Sequence, residues 1–568
     1  MSTKRQKAGL LFFAALAGIA SGAVFLAVAE LVALLVAKDA SPILAVGSFV
    51  IDIVPQPLKE FAISTFGSND KLALLTGLGL AVVIASAIAG ILQLLRPPLG
   101  VIALGIAGIL SIAAIVTRAS VTPLSFLPPV LGTVAGALVL IWLRRHLPRW
   151  RTAPRETDAA AAPAPTIPVA HAPEAAEPVA GSTAIPENPA ALTDPENPAS
   201  RRDTGTAAAA HSPMDRRRFL LLTAIAGASA IVVGATARVV NAATSSAEAV
   251  RKALHIPGPR SKVAVPAGAE LDVPGISSLF TPNKSFYRVD TALTVPSIDP
   301  GTWRLVIDGM VEKRVELSFD DLVKMGLDEY AITLTCVSNE VGGNLVGNAK
   351  WTGVPVRDIL RMARPKKGAD MVLSRSVDGF TASTPLSSLT DDNLDAILAV
   401  TMNGVPLPLE HGFPVRMVVP GLYGYVSATK WLTELKVTTF AKDQAYWTPR
   451  GYSAQAPIKL SSRVDTPKIG KPVAAGRVPV AGVAWAQSVG IERVEVRVDD
   501  GAWMPAKLST PINEDTWVQW MLEWDATPGV HYVEVRAFDK KGRMQEEKRT
   551  PIAPNGSTGW QRSLISVS

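Results

Sequence analysis

The first 145 residues carry apolar runs at about 9–37, 72–95, 100–116 and 126–143, with almost no charge inside them. Crossing a bilayer's hydrocarbon core as helix takes about 20 apolar residues, with a range of ~17–25. The first two runs exceed that length and the last two lie near its lower limit. Four such runs in succession predict transmembrane helices over 1–147 rather than the buried helices of a soluble protein. Glu30 lies inside the first run; it is either functional or close to the far interface. Flanking basic residues set the orientation. Lys4, Arg5 and Lys7 precede the first run, Arg96 follows the second, and Arg144, Arg145, Arg149, Arg151 and Arg155 follow the fourth. Alternating helices put all three groups on one side, which predicts a cytoplasmic N-terminus. The segment 39–70 has no comparable basic excess, and Arg118 is a mild exception.

Residues 148–214 are rich in Ala and Pro, with Pro186-Glu187-Asn188-Pro189 and Pro195-Glu196-Asn197-Pro198, and have no apolar period. That composition predicts an extended, disordered tether. Asp215-Arg216-Arg217-Arg218-Phe219-Leu220 then opens a fifth apolar run, giving an element over 215–242. It reads as a fifth transmembrane helix with its positive charges inside, or as an internal twin-arginine export signal kept as an anchor. The Gly, Ala and Thr content makes the run only moderately hydrophobic, as the second reading requires. Both readings place everything after residue 240 outside the cytoplasm. The twin-arginine route carries folded domains, which suits a cofactor inserted before export.

Beyond residue 262 the composition becomes globular. Strand-like segments at 302–307 and 331–334 alternate with helical patterns at 319–325 and 356–363. No regular βαβ alternation appears, so the expectation for 262–460 is an α+β domain. From about 473, alternating strands are predicted at 478–484, 491–498, 517–524 and 530–538, with turns at Asp499-Asp500-Gly501 and Pro528-Gly529. Short strands at this spacing predict a β-sandwich over 470–568.

Of the 568 residues 18% are charged, below the roughly 25% of soluble domains, as expected when part of the chain dissolves in lipid. The net charge of +7 reflects clusters beside apolar runs more than a nucleic-acid face. One cysteine rules out a disulfide scaffold and an iron–sulfur cluster held by several thiolates. No Cys-x-x-Cys-His attaches a c-type haem. None of His146, His171, His211, His255, His411 and His531 lies inside a span, so the spans cannot hold a b-type haem between paired imidazoles. Redox chemistry must rest on another centre, and electrons must pass to a separate protein.

Cys336 sits in Leu334-Thr335-Cys336-Val337-Ser338-Asn339, after a strand-like segment and before Gly342-Gly343. A lone cysteine is usually a small buried hydrophobe. This one lies among polar residues at a strand-to-loop junction, where functional side chains concentrate. A single soft thiolate suits a metal whose other ligands come from an organic cofactor.

Residues from about 275 to 565, roughly half the chain, resemble the sulfite oxidase family of molybdenum enzymes. The match is to its molybdopterin-binding domain followed by its immunoglobulin-like domain. The segments that carry it are 335–339, Asp378-Gly379-Phe380-Thr381, Met402-Asn403-Gly404 through Pro408, and His411-Gly412-Phe413-Pro414-Val415-Arg416 leading to Pro420-Gly421 and Lys430-Trp431-Leu432. Their joint occurrence in family order is the specific signal.

By this resemblance Cys336 binds molybdenum, and a pterin dithiolene supplies further sulfurs. His411 and Arg416 match pterin-binding residues, and Ala428, Thr429 and Lys430 match a stretch that holds the cofactor. Asp378 matches an acidic pterin ligand, although aspartate before glycine also simply caps turns. Phe286-Tyr287-Arg288 stands where the family has an arginine facing cofactor and substrate; Tyr287 is assigned to the cofactor and Arg288 to both. Trp351 matches a tryptophan that walls the substrate pocket, and Tyr452 a tyrosine near the metal oxygen; either aromatic suits core packing equally. Two departures put sulfite in doubt as substrate. Asn339-Glu340-Val341 replaces an arginine-bearing segment, and Val289-Asp290 replaces an Asn-His pair.

The resemblance implies a membrane-anchored, extracytoplasmic molybdenum–molybdopterin oxidoreductase. It would move an oxygen atom or two electrons to or from a small oxyanion, sulfoxide or N-oxide, with a separate electron-transfer partner. A homodimer through the sandwich is a further expectation. The competing reading is a non-catalytic surface binding module with a degenerate cofactor domain. Such a domain would be expected to have lost some of Cys336, His411 and Arg416, and all are present. A transporter built from the spans is disfavoured by their lack of facing ionisable residues.

Overall fold

A computed structural model describes residues 2–36, 41–55, 58, 65, 70–117, 123–146 and 247–568. The expected tether over 148–214 and the twin-arginine-like element over 215–242 lie outside the described residues.

The N-terminal part contains α1 (Ser2–Val36), α2 (Pro42–Ile53), α3 (Asp70–Leu95), α4 (Leu99–Val116) and α5 (Leu127–His146). Four of these are long and apolar enough to cross a membrane; α2 is too short. The apolar pattern of segment 39–70 gave no expectation of α2. Its start is set by Ser41, whose Oγ accepts from the Leu44 N–H and donates to Glu30 Oε1 at 2.6 Å. Glu30 is thereby tied to the connection that follows α1. α2 packs Ala45, Val46 and Phe49 on Ala114 and Ile115, at the C-terminal end of α4.

Small residues bring α1 and α3 together. A Cβ on Gly90 would lie 2.0 Å from the Ala14 carbonyl oxygen, and one on Gly18 would lie 2.0 Å from that of Ser86. Such backbone approach is the usual basis of helix association where lipid removes the hydrophobic drive.

The C-terminal part begins with two sheets. The first runs, in spatial order, Val315–Ser318, Arg304–Gly309, Leu432–Thr438, Met371–Ser376 and Thr381–Pro385. Only the pairing of Arg304–Gly309 with Leu432–Thr438 is parallel. The second joins Asp328–Thr335, Val346–Pro355, Ile397–Met402 and Val405–Pro406, with Arg416–Val418 also pairing Ile397–Met402. Short helices fill the connections. Phe319–Lys324 starts from a capping box between Ser318 and Asp321. Val356–Ala363 buries Val356, Ile359, Leu360 and Ala363, the i, i+3, i+4, i+7 stripe of an amphipathic helix. Leu305 and Ile307 of the first sheet share one core with Leu398, Val400 and Met417 of the second.

Two four-stranded sheets follow. One is ordered Ser461–Thr466, Gly476–Trp485, Val518–Ala526, Lys507–Leu508; the other Met504–Pro505, Ile491–Val498, Gly529–Asp539, Gln561–Val567. Alternation is strict in the last strand, where Gln561, Ser563, Ile565 and Val567 are buried and the residues between them exposed. Val480, Trp520, Val494, Val496, Val533 and Val535 form the core. The expected Asp499-Asp500 turn has both residues at positive φ, 52° and 61°.

A leucine at Gly90 has no room against fixed backbone. Gly90→Leu is expected to cost about 1–3 kcal/mol or more. Thermal unfolding in detergent checks it; an unchanged melting temperature would mean that α1 and α3 do not meet here.

Candidate active site

The strand Asp328–Thr335 delivers Cys336 to the mouth of a loop that returns as Val346–Pro355. The loop is closed locally: the Cys336 N–H donates to the Leu345 carbonyl at 2.9 Å, and Asn339 Oδ1 accepts from the Leu345 N–H at 2.8 Å. The sandwich holds its outer side. Ser557 Oγ donates to the Asn339 carbonyl at 2.7 Å, and Arg463 Nη1 to the Gly343 carbonyl at 2.9 Å. Cys336 is 8% exposed. Burial pushes its thiol up, opposed by hydrogen bonds from Ser338.

Cys336 lines a cavity of about 770 Å³, open mouth included. Tyr287, Asp378, His411, Arg416, Ala428 and Lys430 line it too. Residues more than 140 positions apart thus meet, because both sheets end at this cavity.

Arg416 decides its character. The guanidinium is buried and receives no ion pair from any carboxylate among the described residues. It donates instead to the carbonyls of His411 at 3.2 Å, Met417 at 3.4 Å and Ala428 at 3.5 Å. Trp351 lies behind it, with the guanidinium carbon 5.1 Å from the ring centroid. Burial lowers Arg416 to about 10, so it stays charged at neutral pH. An uncompensated buried ion costs several kcal/mol. A cation kept in that state and facing a cavity is poised for an anionic ligand. Gly412 lets the chain close around it: φ is 109°, and a Cβ there would sit 3.0 Å from Arg416 Cβ.

His411 is fixed by a chain of amides. Asn403 and Gly404 occupy the two positive-φ positions of a hairpin turn. Asn403 Nδ2 donates to Asn283 Oδ1 at 2.7 Å, and the Asn283 carbonyl lies 3.0 Å from His411 Nε2. A carbonyl only accepts, so Nε2 carries the imidazole proton. Burial, with Arg416 second, lowers His411 to about 4. Lys430 Nζ donates to Asp290 Oδ2 at 2.8 Å and to the Glu410 carbonyl. Burial lowers it to about 8, opposed by Asp290. Asp378 Oδ2 accepts from Thr291 Oγ1 at 3.1 Å.

Other expected site residues do not line the cavity. Arg288 Nε donates to the same Asp290 oxygen at 2.9 Å, with its side chain 38% exposed. Trp351 is fully buried, its Nε1 donating to the Ile332 carbonyl at 3.1 Å. Thr429 Oγ1 is 2.7 Å from Ser374 Oγ inside the core. Tyr452 packs edge-on to Tyr425 and Trp447. Only the last two of these three rings reach the lining.

The sequence reading missed Ser376. Its hydroxyl is buried on the cavity wall without a partner. Nothing in Arg375-Ser376-Val377 distinguishes it from any strand serine. It also missed the aromatic wall of Phe286, Phe380, Tyr425, Trp431 and Trp447.

The donor set fits a molybdopterin. A lone sulfur, an uncompensated guanidinium and an orphaned hydroxyl converge on one cavity. No cluster of three or more His, Cys, Asp or Glu side chains among the described residues could hold a metal by itself. A metal on Cys336 must therefore draw its other ligands from the bound group.

Residues 292–447 match the oxidoreductase molybdopterin binding domain family. The chain is 31% identical over 341 residues to the mitochondrial sulfite oxidase of Rattus norvegicus, covering 51% of this chain and 62% of that protein. It is 28% identical over 359 residues to the sulfite oxidase of Arabidopsis thaliana, covering 51% of this chain and 89% of that protein. Among solved structures, the sulfane dehydrogenase SoxCD of Paracoccus pantotrophus aligns with a TM-score of 0.45 at 22% identity, covering 52% of this chain and 88% of that one. The chain thus spans less than two thirds of the mammalian sulfite oxidases it matches.

The ordinary His411 value is 6.5 and the folded one about 4. Below pH 6.5 the unfolded chain takes up a proton that the folded chain refuses. This contribution to stability is complete above pH 6.5 and is lost as pH falls towards 4. His411→Gln is expected to lose stability less steeply over that window. Melting temperatures of both proteins from pH 7 to pH 4 check this; parallel curves would contradict it.

Proposed function

We propose that this chain, an oxidoreductase of the sulfite-oxidase-like, molybdopterin-binding kind, is a membrane-anchored enzyme working outside the cytoplasm. It carries out two-electron or oxygen-atom transfer on a small molecule and hands electrons to a separate protein. The observation that carries this reading is the buried, uncompensated Arg416 on the same cavity wall as Cys336.

The cofactor supplies the redox step, a metal cycling between two oxidation states with sulfur donors. The chain's residues bind and orient it. Cys336 would hold the metal as a thiolate, the bound cation offsetting the preference for the protonated form that burial gives. Arg416 would bind the anionic pterin phosphate, Lys430, held by Asp290, would flank it, and the Ser376 and Tyr287 hydroxyls would be protonated donors to the group. Burial raises the Tyr287 phenol far above its ordinary range. Asp378 would accept from pterin N–H groups. Trp351 acts from behind Arg416, and Thr429 and Tyr452 pack the wall.

We read the substrate as uncharged rather than sulfite. Lys430 and Arg288 both point at Asp290, and Glu340 is exposed where an anion-binding arginine is expected. Both features count for a sulfoxide or N-oxide and against an oxyanion. The four long helices anchor the enzyme. The catalytic part contacts α2, which follows the C-terminal end of α1, away from Arg96 and Arg145. That arrangement supports a cytoplasmic N-terminus and an extracytoplasmic site. We read residues 262–460 as the cofactor domain and 470–568 as an immunoglobulin-like sandwich suited to homodimer formation.

Purified protein is expected to hold stoichiometric molybdenum, lost in Cys336→Ser; a metal-free native preparation would overturn the proposal. Turnover of sulfite, dimethyl sulfoxide and trimethylamine N-oxide with an artificial electron mediator identifies the substrate class. Arg416→Met is expected to abolish cofactor retention while leaving the cofactor-free protein as stable or up to about 1–4 kcal/mol more stable. Calorimetry of the cofactor-free forms checks the second half, since a purely structural arginine would destabilise when removed.

A further inference from the structure

Helix α2 meets the catalytic part at two places, and each adjoins a cavity-lining residue. Tyr446 Oη donates to Asp52 Oδ1 at 3.0 Å. Arg450 Nη2 lies 3.5 Å from the Asp52 carbonyl and 3.8 Å from its carboxylate. A cation there also suits the C-terminal end of α2. Arg450 in turn lies over the Tyr446 ring, 3.7 Å from its centroid. Tyr446 packs edge-on to Trp447 at 5.2 Å and against Phe380 at 5.8 Å, and both of those rings line the cavity. At the second place, a Cβ on Gly47 would lie 2.9 Å from Leu293 Cδ1. Leu293 is two residues from Thr291, which lines the cavity and binds Asp378.

We infer that α2 is a working part of the site: Asp52 is a positioning residue that, through Tyr446 and Arg450, holds the Phe380–Trp447 wall of the cavity. The helical part is then more than a tether. It seats the catalytic part with this wall against the outer end of the helix bundle, so the cavity's shape depends on a residue about 400 positions away in the chain. Loss of the Tyr446–Asp52 hydrogen bond, which is partly buried, carries a cost. Without Asp52 the loop 446–450 loses one hydrogen bond from Tyr446 and a carboxylate 3.8 Å from Arg450.

The inference rests on reading the cavity as the cofactor site, but its test needs neither cofactor nor substrate. Gly47→Cys with Leu293→Cys, in the full-length protein in membranes, is expected to form a disulfide on mild oxidation, found by peptide mapping. Gly105→Cys, whose added Cβ meets nothing, is expected not to link to Leu293→Cys. The second readout is the rate at which a maleimide alkylates Cys336 in metal-stripped, full-length protein. Loss of one hydrogen-bonded clamp is expected to raise that rate about fivefold in Asp52→Ala and in Tyr446→Phe. Asp52→Asn keeps an acceptor for Tyr446 and is expected to restore most of the protection. No link between thiols that denatured protein shows to be present, or a lowered melting temperature with unchanged Cys336 alkylation, would overturn the inference. Absence of molybdenum would overturn the proposed function and leave both of these readouts standing.

Discussion

A guanidinium held in the protein interior without an acid to neutralise it is the constraint around which this catalytic part is arranged. Arg416 is surrounded by carbonyl oxygens, an indole face and a glycine that permits close approach. Each softens the cost of burial, and none cancels the charge. Carbonyl dipoles stabilise a cation only in part, and the residual penalty of several kcal/mol is recovered when an anion enters. The fold therefore spends stability on affinity. Lys430 differs: its charge is already balanced by Asp290, so it contributes direction more than drive.

Much of the architecture could be read from the sequence, for identifiable reasons. Long apolar runs have one physical solution, and the helices stand where the runs are. Helices with a clear stripe, such as Val356–Ala363, and strands with an alternating stretch, such as residues 494–498 of Ile491–Val498, were equally legible. α2 was not. Its 12 residues are apolar nearly throughout, too short to span and without a stripe to reveal a face. Within the site, residues whose chemistry is rare in a core stood out: the only cysteine, and the His-to-Arg segment 411–416. Ser376 is an ordinary strand residue until the cavity beside it is known. Trp351 shows the converse, since a resemblance placed it on the substrate pocket and packing places it behind Arg416. Contacts such as Asp52 with Tyr446 leave no local trace, because neither residue's neighbours depend on the other.

Support for the loop that carries Cys336 comes from outside its own domain. Ser557 and Arg463 hold the carbonyls of Asn339 and Gly343. Val346, beyond the loop, packs with Val483, Trp485 and Trp517 of the sandwich. Gln487 and Asn513 add bonds to the carbonyls of Thr333 and Ala331 in the strand that precedes Cys336. A loop with two adjacent glycines, Gly342-Gly343, has little rigidity of its own. Here the sandwich confers it.

The loop 337–345 and the sandwich surface facing it are consequently tied to each other in length. An insertion in the sandwich would strand a loop carbonyl, and one in the loop would strand Ser557 or Arg463. Turns that touch neither, such as the exposed Lys366-Lys367-Gly368, are where related chains should differ most in length. Chimeras that exchange the cofactor domain between relatives should carry the sandwich with it and place their junction upstream of both.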